Sequence, residues 1–299
     1  MNKDRIKGYL FAVIATVTFS NIYIFSKAAL NEVHLVQFGL YWFFIALLLN
    51  GAWLLKSGHG KQLFSLSGKQ YRILAILGIL EILTTTSFFL SIKIIPDPAV
   101  TSFLGNFYPV ILTGMGILFL NERFSWLEGM GGLFALAGAF IISYQGGTSL
   151  ADLFIPGTGV VLINAIFASV ASMVVKVNVR NMSPELMNTN RSLWLFVYAL
   201  IAILVSGQPL EISGPALLNI ALGATLGDFI GILTIYYSFR YIEVSKSSIV
   251  QSLKGIFVLA GSYLYFKTLP LEHQLAGGFL TVVGVLLISV AKTRLFARK

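Results

Sequence analysis

The chain of 299 residues has 57% hydrophobic and only 11% charged residues, 21 Lys and Arg against 12 Asp and Glu, and no cysteine. So few polar residues cannot cover the surface of a water-soluble protein, and the mean hydropathy of +0.84 is spread along the whole length. Disordered, collagen-like and disulfide-framed chains are excluded by the same arithmetic, and the bilayer is left as the solvent.

A helix needs about 20 apolar residues to cross roughly 30 Å of hydrocarbon. Ten such stretches follow in order, at 8–28, 35–55, 72–95, 98–120, 126–145, 157–178, 186–206, 216–239, 245–266 and 273–291. The first follows Lys3, Arg5 and Lys7, and its apolar run is too long for a signal-peptide core. It carries the polar pair Ser20 and Asn21. Ser57-Gly58-His59-Gly60-Lys61 separates spans 2 and 3, and span 3 holds Glu81 about nine residues in, followed by Thr84, Thr85, Thr86 and Ser87. Pro96-Asp97-Pro98 opens span 4, with Ser102, Asn106, Tyr108 and a mid-span Pro109 that predicts a kink.

Asn121-Glu122-Arg123 and Gly146-Gly147-Thr148-Ser149 bound span 5, and Ser183-Pro184-Glu185 and Gly207-Gln208-Pro209 bound span 7. Asn164 interrupts span 6. Span 8 places Asp228 among Gly223, Gly227 and Gly231, a four-residue spacing that reads as helix packing. Span 9 carries Ser248, Gln251, Ser252, Lys254 and Gly255. The aromatic residues Tyr9, Trp42, Trp53, Trp126 and Tyr144 read as interface anchors.

With both termini cytoplasmic, most Lys and Arg fall on the inner side, Arg191 among them, and the excess of positive charge then reports topology. It implies no nucleic-acid partner. The basic tail Lys292 to Lys299 reads as an anchor at the lipid surface.

The two halves correspond at an offset of 146 to 149 residues. Ser20 and Lys27 meet Ser169 and Lys176, Glu81 meets Asp228, and Ser102 meets Ser248. Gly131, Gly132, Gly138 and Ser143 meet Gly277, Gly278, Gly284 and Ser289. Five spans per half is odd, so the second half enters the membrane from the opposite face. The expectation is an all-α membrane protein of ten helices in two inverted five-helix repeats, 1–145 and 157–299, joined by an extracytoplasmic linker at 146–156.

The runs Pro98-Ala99, Tyr108-Pro109-Val110, Leu118-Phe119-Leu120-Asn121-Glu122-Arg123-Phe124-Ser125 and the stretch from Gly131 to Ser143 resemble the EamA-type half-repeat of the drug/metabolite transporter superfamily. Tyr265-Phe266-Lys267-Thr268-Leu269-Pro270-Leu271, followed by Gly277, Gly284 and Ser289, is similar to the same element. The resemblance implies ten helices, a monomeric or loosely dimeric carrier, and small organic substrates, often exported. Ser252-Leu253-Lys254-Gly255 stands where an EamA half-repeat usually has a proline. It resembles instead the sugar-phosphate and nucleotide-sugar carriers of that superfamily, in which a lysine here engages an anionic substrate.

Charged groups near the bilayer centre are costly and mark function by default. Glu81, Asp228 and Lys254 are therefore the candidate substrate or coupling residues, with Asn106, Gln251, Tyr108, Thr85, Ser252 and Asn21 as polar company and Pro109 and Gly255 as hinges. A carboxyl group in a low-dielectric cavity can exchange a proton, and Lys254 attracts a carboxylate or phosphate. The alternative for these charges is a buried Lys254–Asp228 ion pair.

No G-x-x-x-x-G-K-[ST] motif occurs, and His34, His59 and His273 fall in separate loops, so neither an ATPase, a metal, another cofactor nor an enzyme is expected. The expected function is a secondary transporter of small polar metabolites in the cytoplasmic membrane. Amino acids come first, with protons or a counter-substrate as coupling partner. Two alternatives remain: an exchanger of organic anions helped by Lys27 or Lys176, and a lipid-handling or scaffold protein.

Overall fold

A computed structural model describes residues 3–120, 126–144 and 154–297. Two of the turns, 121–123 and 146–149, and most of the 146–156 linker lie outside the described residues. The elements of the described residues are all helices, joined by short loops, and one bridge pairs Tyr144 with Phe154. In the first half the helices are α1 Lys3–Leu30, α2 Leu35–Lys56, α3 Gly68–Ile94, α4 Pro98–Leu104, α5 Phe107–Leu120 and α6 Trp126–Ser143. A short 3₁₀ turn, His59–Phe64, links α2 to α3. In the second half they are α7 Thr158–Asn178, α8 Pro184–Ser206, α9 Gly214–Gly223, α10 Ile232–Tyr241, α11 Val244–Ser252, α12 Lys254–Phe266 and α13 Glu272–Ala297. A π-helical segment, Ala224–Gly231, joins α9 to α10 in one continuous rod.

Six of these rods are long and apolar enough to cross a membrane: α1, α2, α3, α7, α8 and the α9–α10 rod. The stretches at 98–120 and 245–266 are each broken in the middle, into the short helix pairs α4–α5 and α11–α12. The first break falls at Gly105 and Asn106, where Asn106 N–H bonds Phe103 O and Tyr108 N–H bonds Gly105 O in tightened turns. Pro109 therefore lies in the first turn of α5, where its missing N–H costs nothing, and the expected mid-helix kink is replaced by a break ahead of it. The second break falls at Leu253, and Gly255 lies in the first turn of α12, closed against the Phe103 ring of α4.

Helix starts follow ordinary capping chemistry. Ser67 caps α3, Ser183 caps α8 and Ser213 caps α9, each accepting a backbone N–H three residues on. His34 caps α2 in a capping box with Gln37, and His273 is helical, in the first turn of α13 rather than in a loop.

The internal repeat is visible atom by atom. Lys27 Nζ lies 3.0, 3.3 and 2.8 Å from the carbonyls of Ile92, Lys93 and Ile95, closing the C-terminal end of α3. Its counterpart Lys176 lies 2.7 and 2.6 Å from the carbonyls of Phe239 and Ile242, closing the end of α10. Each ammonium thus satisfies orphan carbonyls at a helix terminus. Neither is left to assist an anion.

Ser20 Oγ lies 3.4 Å from Lys254 O at one break, and Ser169 Oγ lies 3.4 Å from Tyr108 O at the other. The most extensive helix contact joins α6 and α13. There a Cβ added to Gly138 would lie 2.5 Å from Gly277 O, and one added to Gly284 would lie 2.5 Å from Gly131 O. The pairing of an earlier residue with a later one, and of a later with an earlier, makes the two helices antiparallel at backbone contact.

Both ends of the molecule are tied across the halves. At one end Gln37 Nε2 donates to Pro209 O and Glu211 O, Tyr41 OH donates to Leu210 O, and Ser213 Oγ bonds the Glu32 carboxylate. At the other, Ser183 N–H donates to Gln62 Oε1, Gln70 Nε2 donates to Asn181 O, and His59 Nδ1 lies 3.6 Å from Glu185 Oε1.

Candidate functional site

Between the halves lies a cavity of about 130 Å³. Its walls are largely apolar, with Phe19, Tyr23, Phe88, Phe89 and Phe239 prominent. Its polar lining includes Glu81, Thr85, Tyr108, Arg191, Asp228 and Lys254. Such a cavity, apolar with a few convergent polar groups, is the usual form of a small-molecule site.

Glu81 on α3 and Asp228 on the π-helical segment are not paired with Lys254, as the ion-pair alternative requires. Arg191 of α8, 6% exposed, takes both acids. Its Nε donates to Glu81 Oε2 at 2.8 Å, its Nη1 to Asp228 Oδ2 at 2.7 Å, and its Nη2 to Thr85 Oγ1 at 3.0 Å. Tyr236 OH donates to Glu81 Oε1 at 3.1 Å, and Trp42 Nε1 lies 3.3 Å from Asp228 Oδ2.

Two expectations are corrected here. Arg191 is a buried residue of the cavity rather than a cytoplasmic charge, and Trp42, fully buried, is part of the site rather than an interface anchor. Trp53, Trp126 and Tyr144 are exposed, as anchors must be.

The π-helical turn around Asp228 alters the local backbone bonding, a feature found often at functional sites. Asn188 Nδ2 fills in, donating to Asp228 O at 3.2 Å and to Asn50 Oδ1 at 2.7 Å. Gly227 brings this segment against Ile22 of α1, and Gly223 brings α9 against Trp42, so the glycine spacing serves packing.

Lys254, the first residue of α12, faces the same cavity. Its Nζ lies 5.8 and 5.9 Å from the ring centres of Phe19 and Tyr23, at the limit of a cation–π contact. Among the described residues no carboxylate lies within ion-pair distance of it. Tyr108, its counterpart in the first half, donates to Ser172 Oγ at 2.8 Å. Gln251 spends its amide N–H on Ser247 Oγ at 3.0 Å, and Asn164 spends its own on Thr84 O at 2.7 Å.

Three of the polar residues singled out from sequence fall away from the cavity wall. Asn106 Nδ2 lies 3.3 Å from Thr281 Oγ1 at the first break, and Ser252 is buried at the end of α11. Asn21 Nδ2 returns to Val17 O of its own helix at 2.9 Å. Arg191 and Asn188 were missed because they stand early in a predicted span, where basic residues read as topology. The signal for them was the polar run Asn188-Thr189-Asn190-Arg191-Ser192 inside a helix that continues apolar to Ser206.

The family model for the EamA-like transporter family matches residues 6–144 and again 155–290. The chain belongs to the EamA-like transporter family. It is accordingly a multi-pass membrane transporter of small molecules built from two repeats. No curated protein matches it. A solved structure described as the crystal structure of a protein has 16% sequence identity and a TM-score of 0.75, covering 96% of this chain and 98% of that one. At that identity the likeness carries the fold alone.

Proposed function

We propose that this EamA-like protein transports amino acids and amino-acid-like metabolites by alternating access across the cytoplasmic membrane. Ten spans form two inverted repeats, both termini are cytoplasmic, and the short pairs α4–α5 and α11–α12 act as two broken spans. The lysine clamps on α3 and α10 and the antiparallel glycine crossing of α6 and α13 support the inverted arrangement. Proton or counter-substrate exchange supplies the driving force, and export or exchange is the direction.

One observation carries the substrate class. The cavity holds an ammonium without an acidic partner, Lys254, and a cluster of two carboxylates on one guanidinium, so its two poles are oppositely charged and sum to zero. A zwitterion with an apolar side chain keeps that balance, its carboxylate at Lys254 and its ammonium toward Glu81 and Asp228. A phosphorylated metabolite or nucleotide derivative would bring two negative charges to a single lysine, because Lys27 and Lys176 are engaged with backbone carbonyls. Burying that excess is costly.

The test is thermal stabilisation of the detergent-purified protein by amino acids, amines, sugar phosphates and nucleotides, since a ligand of the native state raises stability by mass action. Zwitterionic amino acids should stabilise the protein and lose that effect in Lys254→Gln. Stabilisation by phosphates alone would move the assignment to an anion exchanger. A lipid-handling or scaffold protein would respond to none of them.

A further inference from the structure

The Glu81–Arg191–Asp228 cluster carries two acids for one base, and the unequal state of its oxygens indicates where a proton goes. Both Glu81 oxygens have a donor, Arg191 Nε on one and Tyr236 OH on the other. Asp228 Oδ2 has two, Arg191 Nη1 and Trp42 Nε1. Asp228 Oδ1 has none, although it is buried, and neither has Asn188 Oδ1. Asn188 is fully buried and its amide lies against the Asp228 backbone, with both N–H directions already spent on Asp228 O and Asn50 Oδ1. Two buried acceptors without a donor therefore belong to two residues already joined by a hydrogen bond, and each carries an uncompensated desolvation cost.

We propose that Asp228 Oδ1 is a proton-binding site, with the Asn188 amide oxygen accepting the hydrogen bond of the protonated carboxyl. A single proton satisfies both orphan oxygens and cancels the excess negative charge of the cluster, while the Arg191 bond to Oδ2 persists. The other groups facing the site are Arg191 and Asn188 from α8, Trp42 and Asn50 from α2, Glu81 from α3, Tyr236 from α10 and Tyr23 from α1, with Lys254 across the cavity. None of them supplies a donor to Oδ1. The proton and a substrate ammonium would compete for the same pole, which gives exchange of one for the other. That last step rests on the transport reading; the proton site itself does not.

The experiment uses substrate-free, lipid-reconstituted protein and infrared difference spectra between acid and alkaline pH. In an Asp97→Asn background, which removes the half-buried carboxyl at the start of α4, and at pH above the range in which exposed carboxylates take up protons, a protonated-carboxyl C=O band should appear on acidification, vanish on adding Asp228→Asn, persist on adding Glu81→Gln, and shift in frequency on adding Asn188→Ser. Where Asp228→Asn does not fold, Asp228→Glu should move the band and answers the same question. A band that survives Asp228→Asn unchanged, or vanishes in Glu81→Gln alone, overturns the assignment, as does the absence of any such band. Amino-acid stabilisation is read separately, so loss of the proton site and loss of the substrate assignment give different results.

Discussion

Arg191 holds the centre of the molecule by pairing with two carboxylates that have no other base among the described residues. Removing one partner of a buried ion cluster is far costlier than replacing the whole by apolar groups. Arg191→Met should therefore cost about 3–5 kcal/mol, read as a fall in the thermal midpoint in detergent. Glu81→Gln, Arg191→Met and Asp228→Asn together should recover most of that loss.

At the membrane edge, Asp97 caps α4 through Ala99 N–H, and burial raises its carboxyl above the ordinary range, against the lowering effects of Ala99, Val100, Ser262 and Lys27. A raised folded value means that the folded state holds the proton more tightly. Its contribution to stability is then fullest below the ordinary carboxylate range and is lost as pH rises through the raised value. Asp97→Asn keeps the cap without the charge, so it should raise the thermal midpoint at neutral pH and leave it unchanged in acid. Asp97→Ala removes the cap and should cost about 1 kcal/mol.

Glu81, Asp228 and Lys254 were legible in the sequence because a charge deep inside an apolar run stands out. Arg191 and Trp42 were not, because near a predicted span end a basic or aromatic residue has an ordinary interfacial explanation and only tertiary packing overrules it.

At the scale of the element, the repeat offers a paired experiment. Lys27 and Lys176 close the ends of α3 and α10 in the same way, so Lys27→Met and Lys176→Met should destabilise by similar amounts, about 1–3 kcal/mol each. A large difference between them would mean that the two clamps are not equivalent. The long helices were readable from hydropathy because each is a single apolar run of membrane-spanning length. The breaks at Gly105–Asn106 and at Leu253 were not, because the apolar pattern runs through them and Pro109 drew the prediction four residues too far along. The π-helical segment left no mark in the sequence beyond its glycines, and the groups that bond Asp228 within it, Asn188 and Arg191, come from a neighbouring helix.

Across the whole molecule, both ends are bridged between the halves, by Gln37 and Tyr41 on the 209–211 loop and by Gln62 and Gln70 on the 181–183 loop. Alternating access requires these ties to open one at a time. The chain has no cysteine, so an introduced pair is the only thiol pair present. Cross-linking cysteines at Tyr41 and Leu210, or at Gln62 and Ser183, should each abolish transport in vesicles, with recovery on reduction. Transport that continues with either end cross-linked would rule out the rocking motion.

The glycine crossing of α6 and α13 sets what such a motion can be. Backbone rests on backbone there, Gly138 on Gly277 and Gly131 on Gly284, with the Thr281 and Ile142 side chains packed close beside the first pair. A joint of that kind turns more readily than it lengthens, because lengthening loses the backbone contact. In alternating access it would act as a fulcrum. Spin labels flanking the crossing should keep a constant separation under conditions in which labels at the two ends of the molecule move in opposite senses.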